Sequence, residues 1–178
     1  MNHWEYGMDF LKSWFFVFVV IFQYAIAKEP PSSSEILRYT ENHLPLSGTL
    51  KTSQHFIYVD LEDDYIHQLI FFIEGEGFKK PPYFGSPDLV GAHITVVYPD
   101  EMQQYEIQEA QVPTQQISFN LKECQVVHPL RLKEIDEVYL IAIESPELDK
   151  IREDLGLPKK KYDFHITIGM KPKKKSHH

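Results

Sequence analysis

Two short segments of the same pattern constrain this chain most: residues 91–98 and 164–170 each carry His-x-Thr inside a run of alternating apolar and polar side chains. A strand sends successive side chains to opposite faces, so Ala92, Ile94, Val96 and Tyr98 share one face and His93, Thr95 and Val97 the other. In the second segment Phe164, Ile166, Ile168 and Met170 share a face, leaving His165, Thr167 and Gly169 on its reverse. Each strand therefore has an apolar back for a core and a His/Thr pair on its front. The surroundings repeat too: a strand closing on an acid (Tyr58 to Glu62, Tyr139 to Glu144), a helix, a loop, then the His-x-Thr strand. Two uneven copies make a duplicated unit and not a solenoid. Such a unit would bring the two fronts together across a cleft.

Residues 34–43 read as a short helix with Ile36, Leu37 and Tyr39 as apolar contacts. A strand follows at His55 to Leu61, then a helix that starts at Asp63 and Asp64 and places Tyr65, Ile66, Leu69, Ile70 and Ile73 on one face. Glycines and prolines punctuate residues 75–91, so a long irregular loop is expected there, with Tyr83 and Phe84 as stacking or packing aromatics. Pro99 and Asp100 end the first His-x-Thr strand, and a helical turn is expected at Glu101 to Tyr105. Ile117 to Val127 reads as one strand region and Val138 to Glu144 as another. The helix at 146–155 is the best signalled, with Ser145 as cap, Pro146 at its first position, and Gly156 and Pro158 beyond its end.

A length of 178 residues is enough for one domain with a sizeable core. The hydrophobic share of 43% excludes a disordered chain. A net charge of −8 argues against a broad nucleic-acid-coating surface, although the lysines gathered from Lys159 to Lys175 permit a local positive rim. Residues 1–27 contain the apolar run Trp14 to Phe22 and end in Ala25-Ile26-Ala27, the pattern of a signal peptide with a small-x-small cleavage site. The run is shorter than the roughly 20 residues that span a bilayer. Cleavage would give an exported (periplasmic or secreted) protein with no stable membrane contact; an uncleaved segment would anchor it. The expected layout is a targeting segment at 1–27, a linker and short helix at 28–48, the main domain at 49–172 and a basic tail at 173–178. A single cysteine, Cys124, rules out an intramolecular disulfide and a thiolate zinc cluster.

Two imidazoles and two hydroxyls on facing fronts suit phosphoryl transfer without a metal. A neutral histidine takes a proton from the attacking water while a protonated one gives a proton to the leaving oxygen, and histidine titrates where both forms are accessible. Thr95 and Thr167 would donate to the non-bridging phosphate oxygens. On His93-Ile94-Thr95-Val96 and His165-Ile166-Thr167-Ile168 the chain resembles the two-histidine (2H) phosphoesterase superfamily, and looks closest to its RNA-repair-like and 2′-5′ RNA ligase-like branch over residues 50–172. The resemblance implies an α+β, bilobal fold: two antiparallel-sheet lobes with helices outside, related by a pseudo-twofold around a central cleft. It also implies hydrolysis of a 2′,3′-cyclic phosphate or related phosphodiester of a nucleotide or RNA end by a monomer that needs no cofactor and no metal. His93, Thr95, His165 and Thr167 carry the expected site, with Lys171 as a phosphate-binding candidate; Tyr98 is assigned to packing. A binding module that uses the same cleft without turnover is the rival reading, and a metal hydrolase with histidine ligands a third.

Overall fold

The computed structural model describes residues 33–53, 56–82, 89–108, 112–130 and 132–174. The apolar segment expected to serve in targeting, Tyr83 and Phe84, and the end of the basic tail lie outside the described residues. Among the described residues no helix is long and apolar enough to cross a membrane.

Among the described residues seven strands form one antiparallel sheet in the order β4-β1-β2-β3-β7-β6-β5. They are β1 (Ser47–Thr52), β2 (Ile57–Asp60), β3 (His93–Val97), β4 (Gln115–Ser118), β5 (Asn120–Val127), β6 (Ile135–Glu144) and β7 (Phe164–Pro172). Among the described residues the α-helices are α1 (Ser33–His43), α2 (Asp64–His67), α3 (Pro99–Gln104) and α4 (Pro146–Asp154). The α+β architecture is a duplicated one. β1, β2, α2 and β3 make one half, edged by β4, and β5, β6, α4 and β7 make the other. The two expected lobes are thus halves of a single sheet, joined where β3 pairs with β7 through Ile94 opposite Ile166.

One face of the sheet packs on the core. Ile57, Val59, Ile94, Val96, Ile141, Ile143, Ile166 and Ile168 point into a core with Ile36 of α1, Ile66 of α2 and Leu148 of α4, and nearly all are fully buried. Helix α1 belongs to this packing: its Ile36 is buried, and Cys124 of β5 lies 3.7 Å from the Ser33 carbonyl. Burial pushes the Cys124 thiol up to about 11, so it behaves as a small apolar residue and not as a nucleophile.

Several elements depart from the sequence reading. The helix expected after Asp63 holds α-geometry only to His67 and tightens into 3-10 turns at Leu69–Phe72 and Glu74–Glu76, ending at Gly77 with φ +92°. Its predicted apolar face survives, since Ile66, Leu69, Ile70 and Ile73 are all buried. The region from Ile117 to Val127 is two strands that run to opposite edges of the sheet, broken at the buried Phe119, whose N–H bonds the Leu46 carbonyl. Strand β1 was not anticipated. Helix α4 forms as expected, with Ser145 Oγ accepting from the Leu148 N–H.

Arg152 of α4 is only 5% exposed. Its guanidinium donates to the Val96 carbonyl at 2.7 Å and to both Glu101 carboxylate oxygens at 3.0 and 2.7 Å, tying α4 to the end of β3 and to α3. These bonds, chiefly those from Arg152, hold the Glu101 carboxyl below its ordinary range. A carboxyl depressed by folding stabilises the fold above its unfolded pKa, and that contribution is lost as pH falls through the folded value. Arg152→Met should therefore cost about 3 kcal/mol in urea denaturation at neutral pH, and its deficit relative to wild type should shrink on acidification. An equal deficit at every pH would show that the ion pair is not its source.

Candidate active site

The seam between β3 and β7 builds the site. Carrying the Ile94–Ile166 register outward sets His93 opposite Thr167 and Thr95 opposite His165, all four on the face away from the core. The two histidines are then diagonal neighbours, at a separation of roughly 7–8 Å between Cα atoms. That spacing leaves room for one tetrahedral phosphorus between their rings. Burial follows the same alternation: Ile94 and Ile166 are fully buried, while the His and Thr positions are half-buried.

The ring orientations repeat in both halves. His93 Nδ1 lies 2.9 Å from the Gly91 carbonyl and His165 Nδ1 lies 3.2 Å from the Asp163 carbonyl, in each case two residues back along the chain. A carbonyl only accepts, so Nδ1 carries the hydrogen and Nε2 is the basic nitrogen of the neutral ring. The two carbonyls are fixed by different means. Gly91 adopts φ +68°, and a Cβ there would overlap the Asp63 carboxylate, which accepts the Ala92 N–H at 3.0 Å. Asp163 is held by its carboxylate, which pairs with Lys122 of β5 at 2.6 Å.

Burial lowers both imidazoles from their ordinary value of 6.5. For His93 the Gly91 carbonyl opposes this, a charge on His165 adds to it, and Asp60 opposes it weakly. For His165 the Asp163 carbonyl is the opposing contribution.

Sequence reasoning missed the neighbours on the front of the sheet. Tyr58 of β2 pairs with Thr95, and Asp60 pairs with His93. On the other side Leu140 of β6 pairs with Thr167, and Ala142 pairs with His165. Tyr58 meets His93 edge to face at 6.1 Å and stacks on Phe56 at 4.8 Å. The signal was present in the alternation of Ile57 and Val59 with Tyr58 and Asp60, which marks the latter pair as front-facing once β2 is known to neighbour β3.

Three sequence assignments are revised. Thr95 and Thr167 flank the histidines as expected, but Lys171 does not join them. Tyr139 pairs with Gly169 and Leu140 with Thr167, so Ile168 is an extra residue and the strand alternation shifts by one. Gly169 consequently faces Ile70, Ile73 and Phe78 and not the site, and Lys171 lies over the Phe78 ring and pairs with Glu137 at 2.9 Å. Tyr98 is 43% exposed and serves as N-cap of α3, its N–H bonded to Glu101, in place of the packing role. Among the described residues no three His, Cys, Asp or Glu side chains gather as a metal-holding group. His67 contacts Lys80, and His128 Nδ1 contacts the Asp136 carbonyl.

The shared ring geometry has a spectroscopic signature. In 15N spectra taken above the imidazole titration, His93 and His165 should both show the tautomer protonated at Nδ1. Gly91→Ala, which forces an L-residue into the left-handed region at about 1–2 kcal/mol, should produce mixed tautomers at His93 alone. An Nε2-protonated form at either position in the wild type would refute the orientation.

The Swiss Army Knife 2H phosphoesterase domain matches residues 57–176, from β2 to just past β7. No curated protein and no solved structure matches the chain. The match spans most of the chain and contains both His-x-Thr strands whose fronts meet at the seam; the protein belongs to the 2H phosphoesterase family.

Proposed function

We propose that this phosphoesterase hydrolyses a 2′,3′-cyclic phosphate or related phosphodiester of a nucleotide or RNA end, by histidine acid–base catalysis that needs no metal. The observation that carries the proposal is the shared posture of His93 and His165: side by side on the front of adjacent strands, each with Nδ1 bonded to the carbonyl two residues back, which makes Nε2 the basic nitrogen of each ring. One Nε2, unprotonated, removes a proton from water as the water oxygen bonds to phosphorus. The other, protonated, delivers its proton to the ribose oxygen as the P–O bond breaks. Proton exchange with solvent restores the pair. The Thr95 and Thr167 hydroxyls donate to the non-bridging oxygens, where charge accumulates in the transition state. The stacked rings of Phe56 and Tyr58 beside His93 support a nucleotide substrate, since an aromatic face accepts any base.

Incubation with a 2′,3′-cyclic nucleotide in excess chelator should yield the monophosphate. His93→Ala and His165→Ala should each lower kcat/KM by roughly 10²–10⁴-fold, and the double variant should lose little more than either single one, because the pair acts as a unit. Binding without product would favour a sensor that uses the same cleft, and loss of activity with chelator would favour a metal hydrolase.

The pH dependence follows from the lowered imidazoles. Activity needs one ring protonated and one neutral, and with both depressed by burial this form is most populated below 6.5. The free-enzyme profile of kcat/KM should be a bell centred on the acid side of that value. An optimum on its alkaline side would contradict the assignment.

A further inference from the structure

The front of the sheet is lined differently on its two sides. Cross-strand pairing arranges it in two rows. One runs Gln116, Thr49, Asp60, His93 and then, past the seam, Thr167, Leu140 and Gln125; the other runs Lys51, Tyr58, Thr95, His165, Ala142 and Glu123. On the β1–β2 side the residues beyond the histidines are hydrogen-bonding groups and one cation. On the β6–β5 side they are first apolar and small, then Gln125 bonded to Glu123 at 2.7 Å.

The charges separate the sides further. Lys51 Nζ pairs with Asp60 at 2.6 Å, its side chain is 46% exposed, and Asp60 is the acid acting on it. Lys122 of β5, on the other side, faces Asp163, Glu144 and Glu123 together. An anion over β6 and β5 would meet a surplus of carboxylates. Over β1 and β2 it would meet an ammonium that Asp60 holds in place with one of its three N–H donors, leaving two for a ligand. Asp60 also cancels the long-range field of Lys51, so the ammonium acts in contact and not by steering. The tether draws it over β2, roughly 7 Å from a phosphorus held above the seam by the strand spacing, a gap that one sugar can bridge. Tyr58, whose phenol burial raises further from its ordinary value, and Thr49, which accepts from Gln116 at 3.0 Å, extend the same polar strip.

We propose that the front of β1 and β2, centred on Lys51, is a subsite for a second phosphate, so that the preferred substrate carries a further phosphate on the His93 side of the scissile one and an uncharged group over Leu140 and Ala142. This rests on the hydrolysis proposed above and narrows its substrate class to phosphodiesters with a neighbouring phosphate on one side.

The test compares a 2′,3′-cyclic nucleotide with the same compound bearing a 5′-phosphate, by KM in turnover and by Kd in calorimetry. The wild type should favour the 5′-phosphorylated compound about tenfold, the effect of one charged contact. Lys51→Gln should collapse that ratio to near one, Lys51→Arg should retain most of it, and Lys122→Gln should leave the ratio in place. Equal KM and Kd for the two compounds in the wild type, or a ratio unchanged in Lys51→Gln, would overturn the subsite while hydrolysis stands. A Lys51-dependent Kd ratio without product would instead keep the subsite and remove the hydrolysis reading.

Discussion

The antiparallel pairing of β3 with β7 at Ile94 and Ile166 governs the rest of the site. Because side chains alternate with a period of two, a slip of one residue in either strand would turn its histidine and threonine into the core and bring isoleucines to the front. Burial prevents the slip. Both isoleucines are fully enclosed, and so are the flanking Val96 and Ile168, so a shifted register would expose several apolar side chains at about 25 cal/mol per Å² each while burying two imidazoles. The core thereby sets the chemistry of a face it does not touch.

Duplication supplies a common frame and the side chains depart from it. In both halves a strand and a helix lead to an antiparallel strand that has, at or next to its first residue, a histidine whose Nδ1 is held by the carbonyl two residues back. The devices that fix that carbonyl are unrelated: in one half a glycine with positive φ backed by Asp63, in the other Asp163 tethered by Lys122. The fronts diverge as well, with Tyr58 and Asp60 beside His93 but Ala142 beside His165. A phosphodiester has different groups on its two sides, so a frame that grips phosphorus symmetrically needs such divergence to orient a substrate.

Much of the fold was legible where the signal is local. The capping serine, first-turn proline and terminal glycine of α4 act within one turn of chain, and the alternation in β3 up to Thr95 and in β7 up to Thr167 sets their faces without reference to any neighbour. Less was legible where the outcome depends on partners. Strand β1 reads Ser-Gly-Thr-Leu-Lys-Thr, with only Gly48 and Leu50 turned inward, and becomes a strand because β2 and β4 pair with it on both sides. Nothing local separates β4 from β5; the chain breaks at Phe119 because its ring is buried while the strands continue at opposite edges. The extra residue at Ile168 is tertiary too: Ile73 and Phe78 press on the sheet there, and only a glycine at 169 leaves them space.

The placing of His93, Thr95, His165 and Thr167 on polar faces of two strands with apolar backs was readable from residue order alone, because strand alternation is a property of the backbone. Tertiary structure decided which residues surround them. It brought Tyr58, Asp60 and Lys51 to the front and turned Gly169 and Lys171 away, since cross-strand neighbours are set by sheet order and register, which depend on how the whole core packs.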